Sequence, residues 1–263
     1  MVAHEDRTIT VAGARIRYLV GGSGPPLLAL HSVEGSLGWL RLYDELARDF
    51  TVFAPIHPGF AGSDRPEWLE SALDLARFYL WIVQELGLDR ATLLGYFFGG
   101  WLAAEMAVMA PPLVDRLILI DSAGIKPGAG AIADIFLHGS EGVRDLAFCD
   151  RKQVADYDLL FGRKPSAEER EALQINREAA IRYCWKPYMH DPALPHLLPR
   201  LRATPTLIVW GREDRIAPLE CAEMFRQVIP GAQLSVIERA GHYPFLEQPA
   251  AVSAALQAFL EGR

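Results

Sequence analysis

The stretch ATLLGYFFGGWLAAEMA, residues Ala91–Ala107, decides the fold of this chain of 263 residues. An apolar run ends at Gly95, a glycine-rich turn follows, and small residues with helical spacing begin at Gly99. A buried strand that leads through a tight turn into a helix is typical of a parallel sheet covered by helices. The centre of the turn is Phe97, a bulky residue where the flanking glycines indicate a sharp bend.

Alternating strand and helix patterns continue on both sides of this stretch. The sequence predicts eight strands, at Ala91–Tyr96, Thr8–Val11, Ala14–Val20, Pro26–His31, Thr51–Pro55, Arg116–Asp121, Thr206–Gly211 and Gln233–Ile237. Helical patterns occur at Leu37–Ala47, Leu73–Leu86, Gly99–Met109, Leu219–Val228 and Pro249–Leu260. Because most of the strands are almost continuously apolar, we predict an α/β fold in which a mostly parallel eight-stranded sheet is flanked by helices.

One long interval contains helical patterns and no strand pattern. It lies between Asp121 and Thr206 and is too long for a plain loop. We therefore predict a core made of residues 1–125 and 202–263, and a helical cap inserted at residues 126–201. The cap is expected to lie over the carboxyl edge of the sheet, where open α/β folds bind their ligands. Its aromatic residues either line the substrate pocket, as we predict, or form the core of the cap; they include Phe136, Trp185 and Tyr188.

Composition and charge exclude several classes of partner. The formal net charge is −7 and no basic cluster is present, which argues against nucleic acid and anionic membranes as partners. The opening residues MVAHEDRTIT lack the apolar region of a secretion signal, and no uncharged segment has the length of a membrane span. The cysteines are scattered, so we predict reduced thiols and a cytoplasmic location. The sequence leaves the oligomeric state open, with a homodimer as one alternative.

The sequence predicts neither a metal site nor an organic cofactor. No group of cysteines and histidines has the spacing of metal ligands. The sequence GGSG at residues 21–24 precedes a strand rather than a helix, which makes it a poor phosphate-binding loop. We therefore expect any chemistry to come from side chains and backbone groups alone.

Five sequence blocks in a fixed order carry the functional signal. They are PPLLALHSVEG, VFAPIHPGFAGSDRP, GYFFGG, PTLIVWGREDRIAP and ERAGHYPFLEQP. In content and order they resemble the α/β-hydrolase family over essentially the whole chain, and most closely its capped esterases and carbon–carbon bond hydrolases. The resemblance implies the α/β-hydrolase fold. It also implies that GYFFGG is the nucleophile elbow, usually written G-x-S-x-G, with Phe97 in the position of the serine.

The same resemblance assigns an acid and a base. The acid falls on Asp214, after the strand Thr206–Gly211, and the base falls on His242. An imidazole acts as a base when an acceptor holds one nitrogen and the other nitrogen faces the reacting group. We therefore predict that Asp214 and His242 lie within hydrogen-bond reach at the carboxyl edge of the sheet. Another histidine of these blocks, His57, is interpreted as a turn residue.

The oxyanion hole of this family consists of backbone N–H groups, and the resemblance assigns it to Val33 and Phe98. Ser32 stands where the family commonly has glycine, which tolerates a left-handed backbone more readily than serine does. We predict that Ser32, Glu34 and Tyr96 face the substrate pocket. The alternatives are a turn residue at position 32, a solvated carboxylate at position 34 and a packed aromatic ring at position 96.

Phe97 excludes the usual chemistry of a serine hydrolase. A phenyl ring cannot attack a carbonyl carbon, accept a proton or carry an acyl group. Loss of the nucleophile lowers the turnover of such enzymes by about a millionfold. No other serine is evidently placed to replace it, since Ser63 and Ser122 fit ordinary loop positions and Ser32 would need another direction of attack.

Three functional hypotheses follow. In the first, which we prefer, the dyad of His242 and Asp214 deprotonates water or a small, mostly apolar, carbonyl-bearing substrate directly. In the second, the chain is a pseudo-enzyme that binds a ligand, and in the third a serine esterase or carbon–carbon hydrolase has been inactivated at residue 97.

The departures at Ser32 and Phe97 indicate a remodelled site, in which restoring a serine at position 97 would raise turnover only slightly. A Phe97 ring that blocks access to His242 would favour the second hypothesis over the first.

Overall fold

The computed structural model describes residues 2–262 and contains one eight-stranded sheet. Its strands are β1 (His4–Val11), β2 (Ala14–Gly22), β3 (Pro26–Leu30), β4 (Thr51–Pro55), β5 (Ala91–Tyr96), β6 (Val114–Ile120), β7 (Thr206–Gly211) and β8 (Gln233–Ile237). Their order across the sheet is β1-β2-β4-β3-β5-β6-β7-β8. Only the β1–β2 and β2–β4 pairs among these strands are antiparallel. The predicted α/β-hydrolase fold, with a mostly parallel eight-stranded sheet flanked by helices, is confirmed.

Helices connect most of the parallel strands. They are α1 (Arg41–Leu46), α2 (Ala72–Glu85), α3 (Phe98–Met109), α4 (Ser140–Ala147), α5 (Ala167–Cys184), α6 (Leu194–Leu197), α7 (Leu219–Val228), α8 (Pro244–Glu247) and α9 (Pro249–Leu260). The helix α1 is shorter than predicted, because Gly38 has a φ of 80° and Leu40 is extended. None of the helices within residues 2–262 is long and apolar enough to cross a bilayer.

Local sequence signals explain where the longer helices begin. Ser71 caps α2 by accepting a hydrogen bond from the N–H of Asp74. Ser166 and Glu169 form a reciprocal capping box at the start of α5. The helix α3 has no side-chain cap and is buried over almost its whole length, so packing against β5 and β6 stabilises it instead.

The interval predicted as a cap is helical. Between β6 and β7 the described chain forms α4, α5 and α6, with short helical turns and no strand apart from isolated bridges. Several bonds fasten it to the core; among them, the Tyr183 hydroxyl donates to the Pro58 carbonyl at 2.9 Å, and the Arg182 guanidinium lies 2.8 Å from the Glu70 carboxylate. The boundaries of the cap, residues 126 and 201, stay a prediction.

The carboxyl ends of the central strands meet at one edge of the sheet. Because β3, β5, β6 and β7 run parallel, the residues that follow them are brought together there. These residues are His31, Phe97, Asp121 and Arg212, and the next loops carry Asp214 and His242.

Candidate functional site

The turn after β5 holds Phe97 in a conformation that few residues adopt. Its φ of 45° and ψ of −105° lie outside the ordinary regions for an L-amino acid. A backbone of this kind costs about 1–3 kcal/mol. The N–H of Phe97 donates to the carbonyl of Ile120 at 3.0 Å, and its carbonyl accepts from the N–H of Trp101 at 3.1 Å. Phe97 is thus fixed between the end of β6 and the first turn of α3.

Glycines on both sides of Phe97 permit this sharp turn. A Cβ on Gly95 would lie 2.2 Å from the carbonyl oxygen of Gly99, and a Cβ on Gly99 would lie 2.1 Å from the carbonyl oxygen of Leu30. These approaches leave no room for a side chain, so the packing needs glycine at both positions. The shape of the turn is therefore set by its neighbours rather than by the residue at position 97.

Asp214 and His242 are joined by a hydrogen bond at the carboxyl edge of the sheet. Nδ1 of His242 lies 2.7 Å from Oδ2 of Asp214, and both side chains are fully buried. The other carboxylate oxygen, Oδ1, accepts from the N–H groups of Ile216 at 2.7 Å and Ala217 at 3.0 Å. The structure places the two side chains within the predicted reach, and their catalytic role stays a prediction.

The loop that carries His242 is held by the helical interval and by a buried carboxylate. The N–H of His242 donates to the carbonyl of Ala147 at 2.6 Å. Glu247 accepts from the N–H of Gly241 at 2.6 Å and from the N–H of Cys149 at 2.7 Å. Burial raises the pKa of Glu247, whereas these donors favour its charged form. The orientation of the imidazole therefore depends on packing between the interval and the core.

The phenyl ring of Phe97 covers the imidazole of His242. The two rings meet edge-on, with centroids 4.5 Å apart and planes at 84°. Phe97 is 1% exposed and His242 is 0% exposed, and within residues 2–262 Nε2 of His242 has no hydrogen-bond partner. In this arrangement Nε2 is buried, and the rings of Phe97, Tyr96 and Tyr243 all pack on the imidazole. This is the outcome that favours the pseudo-enzyme hypothesis over direct base catalysis.

Asp121, directly after β6, belongs to this site although the sequence analysis did not assign it. Its φ is 43°, and its Oδ1 accepts from the N–H of Gly211 at 2.9 Å. Burial raises the pKa of Asp121 well above its usual range, and the adjacent charge of Asp214 adds to the rise. We infer that Asp121 is a neutral acid. One sequence signal could have identified Asp121 as a site residue. It is an aspartate directly after a buried strand, and its strand ends at the same edge of the sheet as the strand before Asp214.

Asp121, Asp214 and His242 also form a group of candidate metal ligands within residues 2–262. Their ligand atoms all lie within 4.8 Å of one another. The hydrogen bond between Asp214 and His242 already uses two of these groups. A proton on Asp121 removes the repulsion between the carboxylates without desolvating a divalent cation. The donor set therefore fits a neutral acid beside a carboxylate better than a metal site.

The loop after β3 does not have the strained, left-handed backbone at position 32 that a serine in place of glycine led us to consider. Ser32 does not have a positive φ, and the left-handed residues of the loop are Gly35 and Gly38, with φ of 95° and 80°. The N–H of Gly35 donates to the carbonyl of Ser32 at 3.2 Å and closes the turn. Val33 is buried in this loop, and Phe98 is the first residue of α3, where the helix itself leaves the N–H free. Their role as oxyanion donors stays a prediction.

Two buried histidines support the same loop. The His31 Nδ1–H donates to the carbonyl of Ser32 at 2.6 Å, and its Nε2 accepts from the N–H of His57 at 2.9 Å. The His57 Nε2–H donates to the carbonyl of His31 at 2.7 Å, and its Nδ1 accepts from the hydroxyl of Tyr79. These partners require both rings to be neutral. His57, interpreted from sequence as a turn residue, therefore joins two loops through its side chain.

We expect the histidine pair to make the protein sensitive to mild acid. Burial lowers the pKa of His31 to about 4 and that of His57 well below its usual value. The unfolded chain therefore binds more protons than the native state between pH 6.5 and 4, and the free energy of unfolding falls as the pH falls. For His31 alone the loss is about 3 kcal/mol. Urea unfolding at several pH values measures it.

Matched variants identify the source of this acid sensitivity. Between pH 6.5 and pH 4 the unfolding free energy of the unmodified protein should fall relative to that of His31→Gln, whereas His138→Gln, which removes an exposed histidine, should follow the unmodified protein. Parallel curves for His31→Gln and the unmodified protein from pH 7 to pH 4 would contradict the neutral pair.

The predicted pocket residues fall into two separate groups. Ser32, Glu34 and Tyr96 line one cavity near the loop after β3. Phe136, Trp185 and Tyr188 instead contact one another in the helical interval, with ring centroids 6.0 to 6.1 Å apart. The Tyr188 hydroxyl donates to a backbone carbonyl in the same interval at 2.7 Å. The structure does not bring this second group to the cavity, and its role in a pocket stays a prediction.

Asn176 of α5 ties the helical interval to two core loops. Its Nδ2 donates to the carbonyl of Glu34 at 2.8 Å, and its Oδ1 accepts from the N–H of Ala61 at 2.8 Å. The carboxylate of Glu34 accepts from the hydroxyl of Tyr243 at 2.9 Å. The loop after β3 is therefore held twice at Glu34, once through its backbone carbonyl and once through its carboxylate.

Comparisons with known proteins agree with this architecture. An uncharacterized protein of Mycobacterium tuberculosis is 28% identical over an alignment that covers 96% of this chain and 80% of that protein. The 2-hydroxymuconate semialdehyde hydrolase of a Pseudomonas species is also 28% identical, covering 97% of this chain and 93% of the enzyme. Among solved structures, a variant of the meta-cleavage product hydrolase of Pseudomonas fluorescens, complexed with acetates, is similar with a TM-score of 0.79. Its sequence is 25% identical, and the match covers 99% of this chain and 98% of that one.

The family model described as the alpha/beta hydrolase family matches residues 19–255. This region contains all five sequence blocks, the turn at Phe97 and the hydrogen-bonded pair of Asp214 and His242. The chain belongs to the alpha/beta hydrolase family.

Proposed function

We propose that this protein binds a small, mostly apolar, carbonyl-bearing molecule and does not turn it over through a covalent intermediate. The observation that carries the proposal is the ring of Phe97, which occupies the nucleophile position and packs on His242 at a centroid distance of 4.5 Å. A site with no nucleophile and a covered base retains the binding surface of the fold without its usual chemistry. This is the pseudo-enzyme hypothesis.

The class of ligand follows from charge and from the relatives. The formal net charge of −7 disfavours anionic polymers and membranes as partners. The related Pseudomonas enzyme is a hydrolase of 2-hydroxymuconate semialdehyde, which is a carbonyl compound. From this substrate we carry over only two properties to the ligand that we propose for this chain: a carbonyl group and a small size. The proposal places the protein in the cytoplasm and needs neither a metal nor a cofactor.

A second candidate function is direct base catalysis by the dyad. The observation that favours it is the hydrogen bond of 2.7 Å between Asp214 and His242, which fixes the ring with Nε2 free of protein partners within residues 2–262. Hydrolase relatives are enzymes, and in this candidate the ring of Phe97 moves to let water reach Nε2. A change of residue 97 in a former serine esterase or carbon–carbon hydrolase would explain the same features without any present turnover.

Ester turnover separates these candidates. We expect the hydrolysis of p-nitrophenyl acetate to stay near the uncatalysed background, because Phe97 offers no nucleophile at the elbow and His242 is buried. We also expect no covalent labelling by a fluorophosphonate probe. The measurement is the initial rate and the labelled mass of the unmodified protein and of His242→Gln, with His138→Gln as a control at an exposed histidine.

The outcomes are distinct. Equal rates for the three proteins support ligand binding without turnover. A rate that falls more than about tenfold in His242→Gln alone supports base catalysis, since general bases contribute at least that much. A labelled serine in the unmodified protein would contradict the proposal, because another residue would then act as the nucleophile.

A further inference from the structure

The helix α3 contains a single charged residue, Glu105, and its side chain is buried. Glu105 is 1% exposed. Its Oε1 accepts from the indole N–H of Trp101, one helical turn earlier, at 3.0 Å. Its Oε2 is buried and has no hydrogen-bond partner within residues 2–262. An ionised carboxylate in these surroundings would leave a charged oxygen unpaired, which is strongly unfavourable.

The last part of the helical interval packs against this side of α3. We call residues 189–194 the return segment. The N–H of Asp191 donates to the carbonyl of Gly124 at 3.1 Å, and the N–H of Gly124 donates to the carbonyl of Met189 at 2.9 Å. A Cβ on Gly124 would lie 3.0 Å from the ring of Trp101. The return segment is therefore bonded to a residue that itself lies directly against α3.

The return segment brings a second carboxyl group to Glu105. The carboxyl groups of Asp191 and Glu105 lie within hydrogen-bond reach of each other. Two ionised carboxylates cannot share a hydrogen bond, because neither of them carries a proton. Asp191 is only half-buried, and its Oδ1 already accepts from the N–H of Ala193 at 2.8 Å. The proton therefore belongs on the more deeply buried Glu105, whose hydroxyl donates to Asp191.

The other charges near α3 do not replace this proton. Burial is the main influence and raises the pKa of Glu105 to about 7; Asp191 adds to the rise, and Trp101 and Arg77 oppose it. Arg77 of α2 is itself paired with Asp74 at 3.0 Å. The strands β3 and β5 contain no Asp, Glu, His, Lys or Arg. The remaining charged groups on elements that contact α3 are Glu85 of α2, Asp115 and Arg116 of β6, which pair with each other, His196 of α6 and Arg200 of the turn after it.

We propose that one proton, held between Glu105 and Asp191, fastens the return segment to α3, and that loss of this proton as the pH rises loosens the attachment. When Glu105 ionises, its Oε2 has no donor and its charge repels that of Asp191. Movement of the return segment away from α3 lets water reach Glu105 and relieves both effects. The device lies within the fold, so it does not depend on whether the protein binds a ligand.

The direction of the pH effect follows from the pKa of Glu105 in the two states. It is about 7 when the return segment is attached, and close to the ordinary value of 4.5 when the segment is released and Glu105 is solvated. Between these two pH values the released state binds fewer protons, so a rise in pH favours it. The ratio of released to attached protein should increase by up to about tenfold for each pH unit in this range and level off above it.

The indole of Trp101 reports the proton in an NMR pH titration of the whole protein. Because its N–H is bonded to Glu105, its cross-peak should shift with a midpoint near pH 7. Trp81 is a matched internal control, since its indole donates at 3.0 Å to Glu85, which is also four residues later but exposed. The cross-peak of Trp81 should show no transition near pH 7. The absence of a transition at Trp101 would overturn the proposal.

Two variants assign the transition. Glu105→Gln should abolish it, whereas His190→Gln, which removes the histidine next to Asp191, should keep it. Asp191→Asn should lower its midpoint, because asparagine does not repel an ionised Glu105. An unchanged midpoint in Asp191→Asn would contradict the pairing even if Glu105→Gln failed to fold, and loss of the transition in His190→Gln would assign the proton to that histidine instead.

Amide hydrogen exchange measures the release itself. Comparing the unmodified protein with Glu105→Gln at each pH cancels the effect of pH on the exchange reaction, and glutamine can still donate to Asp191 and accept from Trp101. Relative to the variant, exchange at the N–H of Asp191 should accelerate by up to about tenfold for each pH unit from pH 5 to pH 7. It should also be less protected than the N–H of Leu94 in the central strand β5, which reports global unfolding. Equal protection at Asp191 and Leu94, or a rate that follows the variant at every pH, would overturn the proposal.

Discussion

Replacing Phe97 with serine is expected to raise ester turnover by about a thousandfold or more. The backbone at position 97 already has the φ of 45° and ψ of −105° of a sharp elbow, and the close approaches of Gly95 and Gly99 maintain it. A hydroxyl at this position would take the place of the ring that now packs on His242. The hydrogen bond between His242 and Asp214 is in place to receive its proton.

The structure removes the reason to expect that Phe97→Ser would raise ester turnover only slightly. That expectation assumed that Ser32 displaces the oxyanion donors by straining the loop after β3. Ser32 is not left-handed, and the strained conformation falls on Gly35, which tolerates it. We therefore expect Ser32→Gly to add little to the effect of Phe97→Ser.

The gain in turnover comes with a loss of stability. Phe97 is 1% exposed, and removing a buried phenylalanine side chain costs about 3–5 kcal/mol. Serine also carries a Cβ, and the neighbouring glycines hold the same turn, so the backbone strain at position 97 remains. We expect the free energy of unfolding to fall by about 3 kcal/mol or more. Urea unfolding of the variant measures this directly.

Two control variants assign the new activity. Phe97→Ala opens the same space without a nucleophile, and Phe97→Ser combined with His242→Gln keeps the hydroxyl without its base. Initial rates on p-nitrophenyl acetate and labelling by a fluorophosphonate should be high only in Phe97→Ser. A rate in Phe97→Ala equal to that in Phe97→Ser would show instead that access to His242 limits the reaction.

Replacing Asp121 with asparagine is expected to stabilise the protein at neutral pH. The raised pKa of Asp121 means that its native carboxyl keeps a proton that the unfolded chain loses above pH 3.8. The unmodified protein therefore loses about 1.4 kcal/mol for each pH unit above that value, up to the native pKa. Asparagine is neutral at every pH and can still accept from Gly211 while its amide faces Asp214. The advantage of the variant therefore grows as the pH rises above 3.8.

The pH dependence is the decisive measurement for Asp121. We expect the difference in unfolding free energy between Asp121→Asn and the unmodified protein to grow from pH 4 to pH 7. Asp89→Asn, at an exposed aspartate, should show no such growth. Parallel curves for Asp121→Asn and the unmodified protein would mean that Asp121 is ionised in the native state.

Much of the fold is readable from sequence because its signals are local. Every strand was predicted within a few residues, since buried parallel strands are short apolar runs that end at turn residues. The start of β1 was missed because His4–Arg7 are exposed and polar on an edge strand. The predicted helix Leu37–Ala47 was too long, because hydrophobic spacing does not reveal that Gly38 is left-handed.

The site was only partly predictable because its decisive contacts join distant segments. The resemblance placed Asp214 and His242 through their order in the chain. Asp121 was missed because a single aspartate after a strand carries no sign of the neighbour that neutralises it. The position of the Phe97 ring over His242 depends on side-chain packing, which sequence spacing cannot specify.

The amide of Asn176 has a consequence for rates. It holds the carbonyl of Glu34 and the N–H of Ala61, each at 2.8 Å, so it couples the loop beside the cavity to α5. Packed elements of this kind separate on a microsecond to millisecond timescale. We therefore expect the loop after β3 to move on the timescale at which α5 moves.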